Sequence, residues 1–210
     1  MAIVNGYVSL AELKTYIGLS GSGQDDNIEN AIEGASRLID KITGRKFWQD
    51  SSVVAKYYTP IHDVYLIVDD ISTTSGLVVQ LDTTDDGSYD TPLTLDTDFI
   101  LKPLNPEYIG TDSGTDYYAP FNELNILTTR SDERFDHLIT KNVKIQAKWG
   151  YAIVPDAIKQ ATLIQGLRFF KRKDTPFNVF GNEQTGQQEL FNKIDPDAMQ
   201  LLKGFIKHKL

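Results

Sequence analysis

The hydrophobic period of this sequence changes twice, and that change limits the fold more than any single motif. From about residue 9 to 44 apolar side chains recur every three or four positions, as one face of a helix requires; from about 53 to 149 they alternate; from 155 the helical spacing returns. Strands gathered in one block between helical segments read as α+β. The expectation is a small helical bundle made from the N- and C-terminal helices, residues 1–48 and 150–210, with an antiparallel β-domain inserted at 49–149.

The helices are punctuated. Ser9 can cap a helix over about 10–17, with Glu12 three residues on as the second half of a capping box, and Gly18 suits its end. A second helix starts at Asp25 or Asp26, where Glu29 completes another capping arrangement. Its apolar stripe is Ile28, Ala31, Ile32, Ala35, Leu38, Ile39 and Ile42, and Gly44 stops it because glycine carries no Cβ penalty at positive φ. A third helix is expected over 155–173, with Pro155 in its first turn and a nearly all-apolar run, LIQGLRFF, at 163–170. Residues 174–194 form a long Gly/Asn/Gln loop carrying Phe177, Phe180 and Phe191. Asp195 then caps and Pro196 starts an amphipathic helix with Ala198, Leu201, Leu202, Phe205 and Ile206 on one side.

Within the β-block, VVAKYY, VYLIVDDI, GLVVQL, TLDTDFIL, LNILTT and NVKIQAKWG read as five or six short strands. DTTDDGSYD at 82–90 reads as a hairpin on the favoured pair Asp86-Gly87. Asp82, Thr84, Asp86 and Gly87 also imitate the first half of a calcium loop, but position twelve is Leu93 and not a bidentate glutamate, so a plain turn is the better reading.

Composition narrows the chemistry. The 210 residues hold no cysteine and three histidines, His62, His137 and His208, which excludes disulfides and thiolate catalysis and argues against a structural metal or any cofactor. No G-x-S-x-G occurs, no lysine completes a phosphate loop near SGSGQDD, and the adjacent Asp69-Asp70 is not marked as a facing acid pair, so the chain is not expected to be an enzyme. Trp48 and Trp149 are expected to pack in a core and not to stack on bases. No apolar run reaches the length of a membrane span, and MAIVNGYVSL lacks the basic and apolar regions of a signal peptide, which points to a cytoplasmic product. Residues 1–140 carry 23 acidic against 9 basic side chains, and residues 141–210 carry 6 against 12. An acidic body of this kind does not grip phosphates.

In their order, YVSLAELKTYIGL at 7–19, DDNIENAIEGASRLIDKITGRKF at 25–47, the β-block, and KWGYAIVPDAIKQATLIQGLRFFKRKDTP at 148–176 resemble the head-tail connectors of tailed bacteriophages, also called adaptor or head-completion proteins. The resemblance implies a structural virion protein in a homo-oligomeric ring, typically of twelve copies. Such a ring sits beneath the portal protein, extends the channel through which DNA passes without sequence-specific binding, and offers a platform to a neck or tail completion protein. It would be made in the host cytoplasm and end at the capsid vertex. Under that reading TGRKFW at 43–48 is the hinge between the ring-forming bundle and a projecting β-domain.

The residues expected to meet the portal are Phe177, Phe180 and Phe191 of the long loop, with Leu201, Leu202, Phe205, Ile206, Lys203 and Lys207 of the terminal helix. Closure of the subunit's own bundle is the competing role for that helix. The basic cluster Arg168, Lys171 and Arg172 is expected at the oligomer interface or as cations at a helix C-terminus. From other classes, the rivals are a monomeric β-rich module that binds protein or carbohydrate through acidic loops, and a hydrolase with an unrecognised site.

Overall fold

A computed structural model of the chain describes residues 3–172, 179–181, 188–190 and 194–207. The protein is α+β; the described residues form four α-helices and antiparallel sheets. Its contacts divide into two compact units: Met1–Phe47 with Val154–Leu210, and Trp48–Ile153.

The helical unit is built on α1 (Leu10–Ile17), α2 (Asp25–Thr43) and α3 (Asp156–Arg172). At α1 the capping box is complete: Glu12 N donates to Ser9 Oγ at 3.2 Å and Ser9 N donates to Glu12 Oε2 at 2.6 Å. The Ser9 N–H, and next the Ser9 hydroxyl, both donating to Oε2, hold the Glu12 carboxyl below its usual range. Helix α2 starts at Asp25, within the expected range, but its N-cap is Gln24 and no side chain caps it. The Asp25 carboxylate is drawn instead to Lys14 Nζ at 2.6 Å. Gly44 ends α2 at φ 68, as its position demands.

Leu13, Ile28 and Ile32 are fully buried, and Leu163 and Phe170 of α3 pack on them, so the three helices share a core although about 110 residues separate α2 from α3. Gly166 permits the approach of α1, because a Cβ there would stand 3.1 Å from Leu13 Cδ2. The stripe of α2 is rotated slightly from expectation: Leu38 and Ile42 are half-buried, while Ser36 and Thr43 are buried and donate back to the carbonyls of Ile32 and Ile39. Strands Val179–Gly181 and Gln188–Leu190 pair antiparallel in this unit. The closing helix is Pro196–Leu202, followed by a single 3₁₀ turn, Lys203–Phe205.

In the β-unit nine strands are ordered along the chain as β1 (Val54–Tyr58), β2 (Tyr65–Ile71), β3 (Val78–Leu81), β4 (Thr91–Leu93), β5 (Phe99–Lys102), β6 (Tyr108–Asp112), β7 (Thr115–Tyr118), β8 (Phe121–Ile126) and β9 (Val143–Ala147). They pair as β1-β9-β3-β4, as β2-β8-β5, and as the two-stranded β6-β7. Val79, Leu81, Val143, Ile145 and Ala147 from the first sheet and Leu66, Val68, Phe99, Leu101 and Leu124 from the second form one core, closed by Trp149. Trp149 is fully buried and donates from Nε1 to the Val54 carbonyl at 2.8 Å.

The segment 82–90 is not a two-residue hairpin. Asp82 is buried, and its carboxylate accepts the backbone N–H groups of Thr84, Asp86 and Gly87, so it organises a long loop between β3 and β4. Among the described residues no cluster of three or more His, Cys, Asp or Glu is placed to hold a metal, and no helix is long and apolar enough to cross a membrane. Asp69 and Asp70, being adjacent in β2, point to opposite faces; Asp69 pairs with Lys56 Nζ at 2.6 Å while Asp70 is buried.

Candidate functional site

The apolar spacing of the terminal segment predicts a docking face, and much of that face is used inside its own unit. Asp195 caps the closing helix by accepting from Asp197 N at 2.9 Å, and it meets Arg168 Nη1 of α3 at 3.6 Å. Its own N–H donates to the buried Gln165 of α3 at 3.1 Å, so the helix start is held on α3. Ala198 and Leu202 are fully buried, and Leu201 is half-buried. The helix does not continue to Ile206 as the apolar spacing suggests: it tightens at Lys203–Phe205, around Gly204, and Ile206 is extended.

The stretch beyond this helix is fastened to the end of α2. Arg45 Nε donates to the Phe205 carbonyl at 2.9 Å, Lys207 N donates to the Thr43 carbonyl at 2.7 Å, and the Phe205 ring meets Phe47 edge-on at 5.5 Å. Of the residues singled out there, Lys203 is exposed and bonds Gln200 Oε1, whereas Phe205, Ile206 and Lys207 are half-buried. Phe177 and Phe191 lie outside the described residues, as does the side chain of Phe180, and His208 is likewise outside them.

Beside this closure stands a buried phenol. Tyr7 donates from its hydroxyl to Asp40 Oδ1 and accepts from Phe47 N at 3.0 Å, while Tyr7 N donates to Ser36 Oγ at 3.1 Å. Burial, with the hydrogen bond to Asp40 next, pushes the Tyr7 pKa far up, and burial also raises the Asp40 carboxyl despite Arg37 Nε at 3.0 Å. The node locks the N-terminal segment, the α2 end and the exit toward residue 48. It is a structural clamp, because the phenol remains neutral and its hydrogen-bonding capacity is consumed.

The basic cluster divides. Arg168 is half-buried on Asp195, whereas Lys171 and Arg172 are exposed at the C-terminal end of α3. Next to them α2 and α3 leave an open groove of about 390 Å³, floored by Ala31, Phe169 and Phe170 and rimmed by Asn27, Asn30 and Arg172. This groove is a surface that the apolar run 163–170 signals without locating.

The β-unit presents two aromatic surfaces. On the outer side of the first sheet Tyr57 and Tyr89 lie 5.5 Å apart with Lys144 over Tyr89. The second is the β6-β7 hairpin, where Tyr108 and Tyr118 are cross-strand partners, half exposed, with centroids 6.2 Å apart. Its two-residue turn, Ser113-Gly114, has φ of 49 and 80 and is a hairpin signal that sequence reasoning missed beside the more familiar Asp86-Gly87. His62 stacks on Tyr65 at 4.4 Å and its Nδ1 accepts from Val64 N, and His137 is exposed.

Charge separates the two units less sharply than it separates residues 1–140 from 141–210. The helical unit carries 12 acidic and 14 basic residues, and the β-unit 17 and 7.

The fold is similar to two solved chains over its whole length. One belongs to the neck of an empty GTA particle computed with C6 symmetry, at 11% identity and TM-score 0.51, covering 100% of this chain and 94% of that one. The other belongs to the virion of a native gene transfer agent (GTA) particle, at 12% identity and TM-score 0.51 with the same coverage. No family model matches the sequence, and no curated protein matches it.

Proposed function

We propose that this chain is a structural protein of a virion neck, a head-tail connector that joins a ring under the portal protein, extends the DNA channel and offers a platform to a neck or tail completion protein. The observation that carries this is the fold likeness to a neck chain, which covers 100% of this chain, both units included, and 94% of that one. The order of sequence elements around "IDKITGRKF" and "WGYAIVPDAIKQA" supports the same reading. In a ring of twelve copies each subunit meets its neighbours through two different surfaces, and this chain has two chemically unlike units to supply them. Acidic walls suit a conduit along which DNA slides, since they do not hold phosphates. No step of this role requires catalysis, a metal or a cofactor.

Native mass spectrometry and negative-stain microscopy test the proposal, with the protein alone at high concentration and mixed with portal-bearing heads. A closed ring, free or seated on the heads, is expected. A protein that remains monomeric and does not join the heads overturns it.

A further inference from the structure

We infer that the β6-β7 hairpin of one copy docks into the α2/α3 groove of the next copy, so that the ring closes through an acidic aromatic finger and an aromatic slot with an arginine at its rim. The inference rests on the ring reading above and specifies which surfaces meet.

The hairpin has the features of a finger without a partner. It belongs to no larger sheet, and two strands alone are marginal in water. Its tight Ser113-Gly114 turn and the Tyr108–Thr111–Asp116 hydrogen-bond chain, at 2.7 and 2.6 Å, stiffen it. Yet Tyr108 and Tyr118 expose 54% and 50% of their surface. Over residues 107–118 the charges are Glu107, Asp112 and Asp116, all exposed, with no basic residue; among the described residues none of the three makes an ion pair. A finger of this kind selects a site with an apolar floor, a cation and amide donors.

The groove offers those three. Phe169 and Phe170 form a floor for tyrosine rings, Asn27 and Asn30 present side-chain amides, and Arg172 is exposed and makes no ion pair among the described residues. Arginine paired with carboxylate is the strongest charged contact a surface of this size can form. The occupant is a second copy of this chain because the three exposed carboxylates of the finger match Arg172, the one charged residue in the groove lining, and the two surfaces lie on different units. A contact between unlike patches is heterologous, and repetition of a heterologous contact generates a ring.

The chain has no cysteine, so single thiols can be placed cleanly. Asn30→Cys and Thr115→Cys proteins, purified separately, are mixed under ring-forming conditions and oxidised. Intermolecular disulfide is expected in at least about tenfold excess over a mixture of Asn30→Cys with Ser75→Cys, a control on an exposed loop of the same β-unit. In parallel, Arg172→Glu is expected to weaken self-association by about tenfold or more, and adding Asp112→Lys and Asp116→Lys to that variant is expected to restore it. If wild-type rings form while the Thr115→Cys cross-link stays at the control level, or while Arg172→Glu assembles normally, this inference fails and the ring stands. Sensitivity to Arg172→Glu without the cross-link means another occupant of the groove, and also overturns it. Absence of any association by the wild type, free or on heads, removes the ring reading itself.

Discussion

The helical unit and the β-unit solve the same problem by different means. In the first, several boundaries are set by residues within a few positions of them: Ser9 with Glu12 opens α1, Gly18 closes it, and Gly44 closes α2. In the second, the register depends on partners far apart, with Val54 opposite Ala147 and Val79 opposite both Ile145 and Leu93. Local signals make helices easy to specify, whereas strands are specified only by what closes around them. The two units nonetheless share one device. Each buries a tyrosine hydroxyl against an aspartate, Tyr7 on Asp40 and Tyr58 on Asp69 at 3.4 Å.

The contrast breaks most forcefully at Ile32, which is fully buried between the three helices. Ile32→Asp places an unpaired charge in that core and is expected to destabilise the helical unit by about 4 kcal/mol or more. Both tryptophans, Trp48 and Trp149, belong to the β-unit, so their fluorescence reports that unit while far-UV ellipticity at 222 nm reports the helices. Loss of helical signal with the Trp149 emission still that of a buried indole is expected; simultaneous loss of both would make the two units one cooperative body. The reciprocal change, Ile145→Ala, leaves a cavity in the β-core and should cost about 3 kcal/mol, read as a shift in the fluorescence-detected urea midpoint.

A smaller effect separates the phenols. A folded state that keeps its tyrosine protonated above the ordinary value of 10.0 binds more protons than the unfolded chain there, so stability falls as pH rises beyond about 10. Burial is the principal cause in both units. Tyr7→Phe leaves Phe47 N without its acceptor and should cost about 1–2 kcal/mol at neutral pH. It should also flatten the alkaline loss of ellipticity while the alkaline change in fluorescence, driven by Tyr58, persists. An unchanged alkaline profile by ellipticity would remove Tyr7 as its source.

The mildest test is Ser9→Ala, at about 1 kcal/mol in the thermal midpoint of the helical signal. The Glu12 carboxyl is held below its usual 4.5 by bonds to Ser9, so its contribution is present above that pH and is lost as pH falls. The variant should therefore lose less stability on acidification than the wild type.

Helices are legible in the sequence because their stops are single residues with a conformational reason. Gly44 can be read from its place after the α2 stripe, and Ser9 from its spacing to Glu12. Sequence and structure part where a side chain has a competing partner far along the chain. Asp25 reads as a cap, but Lys14 holds it. Asp86-Gly87 reads as a tight turn, but Asp82 gathers three backbone donors and opens the loop out to Tyr89, leaving Ser113-Gly114 as the true two-residue turn. Likewise the apolar spacing of Leu202, Phe205 and Ile206 continues past Gly204, but the backbone does not, because Thr43 and Arg45 recruit that stretch. The groove floored by Phe169 and Phe170 is signalled only as an excess of apolar residues on α3, since its other wall comes from α2.

Strands β1 and β9 lie side by side, and just outside them Asp50 N donates to the Trp149 carbonyl at 2.9 Å. The chain therefore enters and leaves the β-unit at nearly one point. A segment whose two ends meet behaves in evolution as a cassette: it can be lengthened, trimmed or exchanged for another of similar mouth without altering the spacing that the host segment must span. A direct test is to replace residues 49–152 by a short Gly/Ser linker, which should yield a soluble helical remnant that retains the Tyr7–Asp40 clamp.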